Sequence, residues 1–220
     1  MKTEIKGSPS FGYIDVQLSP GECIYAESDA MTSMSADLDM SVQFNGGFIS
    51  AIMKRVLGNE SFFLSRFSNN TNSVKHVNLV QSVPGEVREE ILSNSSICMQ
   101  PGAYLASTEG VHLGIRWAGL VSFIAGEGLF RLVAKGNGKV WYGAFGALVE
   151  QQVNGNFIVD SGHLVAYDPS IKLKLQLAGG IFSSILGGEG LVTRVEGTGK
   201  IIIQTRSLSG LAAWINPKFW

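Results

Sequence analysis

A pattern that recurs three times along the 220 residues constrains most strongly what this chain can fold into. The first copy runs Gly47-Phe-Ile-Ser-Ala-Ile-Met-Lys-Arg-Val-Leu-Gly-Asn-Glu60-Ser-Phe-Phe-Leu. The second runs Ala118-Gly-Leu-Val-Ser-Phe-Ile-Ala-Gly-Glu127-Gly-Leu-Phe-Arg-Leu, and the third Gly179-Gly-Ile-Phe-Ser-Ser-Ile-Leu-Gly-Gly-Glu189-Gly-Leu-Val-Thr-Arg. Each begins with a small residue, continues as an apolar segment containing Ser, turns at a Glu and enters a strand-like run. A turn and a short apolar strand open each copy: Pro20-Gly-Glu-Cys-Ile-Tyr-Ala26, Pro101-Gly-Ala-Tyr-Leu-Ala106 and Ser161-Gly-His-Leu-Val-Ala166. Such self-similarity marks a body made from one supersecondary unit that buries its apolar face only against its neighbours. The expectation is a single all-β domain over residues 1–220. Its three tandem units, at about 15–80, 95–150 and 155–208, form a pseudo-threefold body with a short C-terminal tail.

The local signals agree on strands. Ile171-Lys-Leu-Lys-Leu-Gln-Leu177 alternates apolar and polar residues, as a strand with one buried face does. Lys200-Ile-Ile-Ile-Gln-Thr205 is short and β-branched, and Met31 to Phe44 reads as one long strand or a hairpin. Lys135-Gly-Asn-Gly-Lys139 and Glu196-Gly-Thr-Gly-Lys200 read as hairpin turns, with Ser68-Asn-Asn-Thr71 at the matching place in the first copy. Helix signals are confined to Phe48–Leu57 and Ser207–Ala213. A 45% hydrophobic content supplies a sizeable core, and 27 Gly against 6 Pro suit many tight turns.

Several function classes fall away on composition and spacing. A formal charge of −1 with no basic stripe argues against nucleic acid as partner. Cys23 and Cys98, far apart, read as buried thiols of a reducing compartment rather than metal ligands. Gly136-Asn-Gly-Lys139 and Gly197-Thr-Gly-Lys200 resemble the end of a phosphate-binding loop. However, Val133 and Arg194 stand where its first Gly belongs, and Val140 and Ile201 where its Ser or Thr belongs. Gly126-Glu-Gly128 lacks the third Gly of a dinucleotide fingerprint, and no Gly-x-Ser-x-Gly elbow occurs. His76, His112 and His163 each stand without a second ligand at metal spacing, although Asp160 and Asp168 flank His163. The acidic pairs Glu89-Glu90 and Asp37/Asp39 read as solvated faces. No catalytic residue, cofactor or metal is expected, and the chain reads as a non-enzyme.

The one functional clue is the shortage of charge in the apolar loops of these copies: Trp117–Ala125 and Leu177–Leu186 carry none, and the first copy's loop carries only Lys54 and Arg55. Contiguous apolar surface usually marks a protein or membrane contact. The candidate interaction residues are Phe48, Ile49 and Ile52 in the first copy, and Leu120, Val121, Phe123 and Ile124 in the second. In the third they are Ile181, Phe182, Ile185 and Leu186. The expected partner is a protein or a membrane surface, with self-association as a further expectation. Met1 to Pro20 lacks the apolar core of a signal peptide, and runs such as Trp117–Ala125 are about half a membrane span. A cytoplasmic protein, peripheral to a membrane where it touches one, is therefore expected.

Pro101-Gly-Ala-Tyr-Leu-Ala106, Trp141-Tyr-Gly-Ala-Phe-Gly146, Val159-Asp-Ser-Gly-His-Leu-Val-Ala166 and Gln204-Thr-Arg-Ser-Leu208 resemble the bacterial branch of the altered-inheritance-of-mitochondria family. The resemblance runs from about Leu18 to Pro217. It implies a fold like that of the tryptophan RNA-binding attenuation protein: three tandem β units in one chain, of double-stranded β-helix type. It implies no catalytic residue. A role in RNA binding follows only by analogy of fold, as the alternative to a binding or scaffold protein.

Overall fold

The computed structural model describes residues 1–43, 64–117, 130–177 and 191–216. Among them the chain is β throughout, apart from two three-residue 3₁₀ turns and one short helix. The first part contains β1 (Lys2–Lys6), β2 (Tyr13–Leu18), β3 (Cys23–Glu27), β4 (Met31–Met34), β5 (Asp39–Gln43), β6 (Leu64–Ser68) and β7 (Lys75–Val80). Then follow β8 (Val87–Met99), β9 (Tyr104–Ser107), β10 (Val111–Trp117) and β11 (Phe130–Gly143). The last group is β12 (Leu148–Asp160), β13 (Leu164–Tyr167), β14 (Lys172–Leu177), β15 (Leu191–Gln204) and the helix α1 (Leu208–Ile215). The 3₁₀ turns, Pro101–Ala103 and Ser161–His163, stand at the same place in the last two groups.

Pairing between strands is antiparallel in two sheets. One has the order β1-β2-β7-β4, and the other runs β12-β15-β13-β8-β11-β9-β3-β6-β5, with β10 on β11 and β14 on β15. The long strands organise the second sheet. β11 has β8 along one side from Leu132 to Gly143, and β10 followed by β9 along the other. β15 likewise has β12 along one side, and β14 followed by β13 along the other.

These strands also divide the interior. Val140 and Tyr142 lie in one buried cluster with Met99 and Val165, while Trp141 between them lies in another with Ile14, Val77 and Leu105. On β15, Ile201 packs with Val195 and Tyr167, and Ile202 with Val165. A strand covered on both faces needs apolar residues in succession rather than in alternation, as Val140-Trp-Tyr142 and Ile201-Ile202 supply.

Two expectations are corrected here. Gly136-Asn-Gly138 and Gly197-Thr-Gly199 are not hairpin turns; they lie inside the continuous strands β11 and β15. Gly136 (φ +128°) and Gly138 (φ +151°) bend the strand without reversing it, and the register against β8 shifts between Gly136 and Asn137. A Cβ on Gly136 would stand 2.3 Å from the Gly110 carbonyl oxygen, and one on Gly138 2.2 Å from Thr108 Oγ1. The β9–β10 turn therefore nests in the bend, where Thr108 Oγ1 accepts from the Lys139 N–H at 2.9 Å. Asp168 Oδ2 does the same for the Lys200 N–H at 2.6 Å. Nor is Met31–Phe44 one strand or a hairpin: β4 pairs with β7 in the small sheet and β5 with β6 in the large one. Between them the chain turns (Leu38 N–H to Ser35 O, 3.0 Å) and buries Leu38.

The expected strands form over Lys172–Leu177 and, as the end of β15, Lys200–Gln204, and the C-terminal helix forms with Ser207 as its cap, Oγ accepting from the Gly210 N–H. The expected helix at Phe48–Leu57 lies outside the described residues. Cys23 and Cys98 are buried free thiols. No helix among the described residues is long and apolar enough to cross a membrane.

The nested bend makes a sharp expectation. Gly138→Ala should cost about 1–3 kcal/mol in urea denaturation, because the new Cβ meets Thr108 at a positive φ. Gly102→Ala, with open space around the added methyl, should cost far less. Burial also raises the phenols of Tyr104 and Tyr142 well above the usual range and that of Tyr167 to about 12. Above about pH 10 the unfolded chain releases these protons while the native state keeps them. Stability is therefore complete below about pH 10 and declines as pH rises toward 12, which denaturation curves at about pH 8 and 11 will show.

Candidate functional site

The three charge-poor segments are placed by their feet. β5 and β6 pair as far as Gln43 opposite Leu64, β10 and β11 as far as Trp117 opposite Phe130, and β14 and β15 as far as Leu177 opposite Leu191. Each segment therefore joins two consecutive, mutually paired antiparallel strands. The candidate residues Phe48, Ile49, Ile52, Leu120, Val121, Phe123, Ile124, Ile181, Phe182, Ile185 and Leu186 lie outside the described residues.

A second region comes from side chains that sequence reading left aside. A cleft of about 570 Å³ lies where β15 ends and α1 begins, lined by Phe145, His163, Thr205, Arg206, Ser207, Gly210, Leu211 and Trp214. Its walls are fixed by Gln204. That side chain accepts from the Phe145 N–H at 2.9 Å and donates to the Gly162 carbonyl at 2.9 Å. The Gln204 carbonyl in turn accepts from His163 Nδ1 at 2.7 Å, so the proton sits on Nδ1 in the neutral ring. His163 Nε2 is left 3.7 Å from Asp160 Oδ2. His163 stands on a 3₁₀ turn rather than in an apolar strand, and the structure brings it to Asp160 but not to Asp168, which is held by the Lys200 N–H. Of the cleft's hydroxyls, Ser207 Oγ accepts from the Gly210 N–H as the helix cap, and Thr205 Oγ1 accepts from the Ala147 N–H. In the sequence, the signs of this region are the Trp141–Gly146, Val159–Ala166 and Gln204–Leu208 motifs quoted for their resemblance and the helix signal at Ser207–Ala213.

Comparison with known proteins settles the family. The model of the family described as mitochondrial biogenesis AIM24 matches residues 3–206. The chain belongs to that family. An uncharacterised protein of Streptococcus pyogenes serotype M6 is 23% identical over 221 residues, covering 96% of this chain and 88% of that one. A crystal structure of a Streptococcus pyogenes protein shares the fold at a TM-score of 0.80, with 22% identity and 99% of both chains covered. In this AIM24 chain the family match ends at Arg206, so the α1 wall of the cleft lies beyond it.

The remaining polar candidates of this AIM24 member are engaged in structure. Lys139 and Lys200, at the positions of a phosphate-loop lysine, pair with Glu89 and Glu90 at 3.0 Å each. The acidic pair Glu89-Glu90 is thus two separate ion pairs. Asp37 lies in the turn before β5 and pairs with Lys75, and Asp39 accepts from Asn70 Nδ2 at 2.7 Å. His112 is exposed on β10, and His76 stands 3.9 Å from Asp15. Among the described residues no three His, Cys, Asp or Glu side chains are grouped to hold a metal ion.

Because one amide joins the Phe145 segment to the 3₁₀ turn, Gln204→Ala should cost about 1–3 kcal/mol in urea denaturation by unpairing the Phe145 N–H and Gly162 carbonyl. Amide exchange should quicken at Phe145 while the Val140–Tyr142 amides stay protected. Equal protection at Phe145 in the variant would show that Gln204 does not hold the wall.

Proposed function

We propose that this AIM24 protein is a non-enzymatic binding or scaffold protein that engages a protein or membrane surface through the apolar connections of three hairpins. The carrying observation is that its three recurring charge-poor segments each join paired antiparallel strands: β5 to β6, β10 to β11 and β14 to β15. Hairpin ends of one kind, set on a rigid β body, suit a contact of several small apolar patches better than they suit catalysis. The engagement of His163 with the Gln204 carbonyl and of Lys139 and Lys200 with Glu89 and Glu90 supports the same reading.

The architecture that goes with this function is the pseudo-threefold body of double-stranded β-helix type, like the tryptophan RNA-binding attenuation protein. Its support is the series of long strand, 3₁₀ turn, four-residue strand, edge strand, hairpin connection and bent long strand. That series runs from Val87 to Gly143 and again from Leu148 to Gln204. In the first unit the bent strand is replaced by β6 and β7, with Asn69 buried between them and donating to the Leu18 and Ser73 carbonyls.

The test is the double variant Phe123→Asp with Phe182→Asp. A charge at two of the three connections should abolish sedimentation with liposomes, or capture of the natural partner from the membrane and soluble fractions, while the melting temperature stays within a few degrees. Unchanged binding in both assays by the folded variant would remove the proposal.

A further inference from the structure

The eleven-stranded sheet ends on two very different edges. β5, at one end, is five residues long. β12, at the other, is thirteen residues long and keeps one uninterrupted register with β15 from Leu148 to Asp160. No strand among the described residues pairs with its outer side. An open edge of this length is a template for another chain, and proteins usually blunt one with lysine, proline, a bulge or brevity. Other strands with an unpaired side carry such protection: Lys2 and Lys6 on β1, Lys172 and Lys174 on β14, His112 and Arg116 on β10, Arg88 and a bulge at Asn94 on β8, a bulge on the four-residue β4, and brevity on β5. β12, Leu-Val-Glu-Gln-Gln-Val-Asn-Gly-Asn-Phe-Ile-Val-Asp, has no basic residue and no proline. It exposes Val149 at 47% and Ile158 at 50%.

Which backbone groups face outward is fixed by two contacts. The Leu148 N–H donates to Glu86 Oε2, and the Leu148 carbonyl accepts from Arg88 Nη2. The Gln152 carbonyl accepts only from the amide of its neighbour Gln151, at 2.7 Å. Strand alternation then turns the N–H and C=O of Glu150, Gln152, Asn154, Asn156 and Ile158 away from β15. Glu86 and Arg88 close this row at Leu148.

We infer that β12 is the pairing edge of a twofold homodimer, in which it lies antiparallel to β12 of a second copy of this chain. One register makes the edge self-complementary. With the twofold at Val153, Gln152 faces Asn154 of the second copy and Glu150 faces Asn156. Val149 then meets Phe157, and Ile158 lies beside Leu148, where Glu86 and Arg88 end the pairing. Moving the axis to Gly155 sets Glu150 against Asp160 twice, which like charges directly opposite disfavour. Moving it to Asn154 sets Asp160 against Leu148 beside the Glu86 carboxylate. The register at Val153 sets the Gln152–Asn154 amides and the apolar Val149–Phe157 pair opposite each other with no acid facing an acid. A twofold of this kind uses the same patch on both copies and closes, so it gives a dimer rather than a fibre.

Light scattering on the eluting protein should give the dimer mass in the micromolar range. Ile158→Lys should return it to monomer mass with an unchanged melting temperature, and Gln152→Pro, which removes one outward N–H, should do the same. Register is read by mixing Gln152→Cys chains with Asn154→Cys chains under oxidation: the mixture should cross-link, and neither variant alone should. A wild-type monomer would overturn the inference, as would a dimer untouched by both edge variants. Cross-linking within one single-cysteine variant but not in the mixture would overturn the register.

Discussion

Everything else in this structure depends on β11 and β15 having one long partner on one side and two successive partners on the other. A strand that changes partner midway must bend there, and its backbone must remain hydrogen-bonded through the bend. Gly136 and Gly138 supply the bend, and Thr108 and Asp168 supply acceptors for the Lys139 and Lys200 N–H groups just beyond it. The first halves of the two strands end in the charge-poor connections, and the second halves form the walls between buried clusters. The same bend thus links the hairpin ends to the core.

Local pattern made part of this legible. The alternation of Ile171–Leu177 could only be a half-buried strand, and Ser207 ahead of an apolar run marked α1. The Gly-x-Gly segments misled because their local chemistry suits a reversal as well as a bend. The Gly110 carbonyl and Thr108 hydroxyl packed against them decide the matter, and these are more than twenty residues distant. Met31–Phe44 misled for a related reason: period-two apolar spacing is the same whether its strands share a sheet or part at Leu38. The threefold pattern itself located three hairpin connections, since each falls between paired strands.

The polar chemistry was harder to read, because charged side chains act through partners distant in sequence. Lys200 meets Glu90 across 110 residues, and nothing near either residue announces it. A glycine-flanked lysine becomes a cross-strand ion pair, and a pair of adjacent glutamates becomes two ion pairs on different strands. His163 shows the opposite case. Its sequence neighbours are apolar, yet the Gln204 carbonyl orients its ring toward a cleft whose other wall, α1, forms only after β15 ends.

The distribution of basic residues joins these observations. Lys139 and Lys200 sit on central strands and are consumed by Glu89 and Glu90, while the exposed lysines of β1 and β14 guard outer strands. With only 17 basic residues in the chain, their placement is informative: Lys2, Lys6, Lys172 and Lys174 are on short outer strands, and none is on the thirteen-residue β12. Arg88 reaches β12 only at its first residue and at Glu150, which stops pairing at one end and leaves the rest of the edge to amides and β-branched side chains. A monomer would gain nothing from leaving that row of N–H and C=O groups open. A twofold pair satisfies the row with the same strand that creates it.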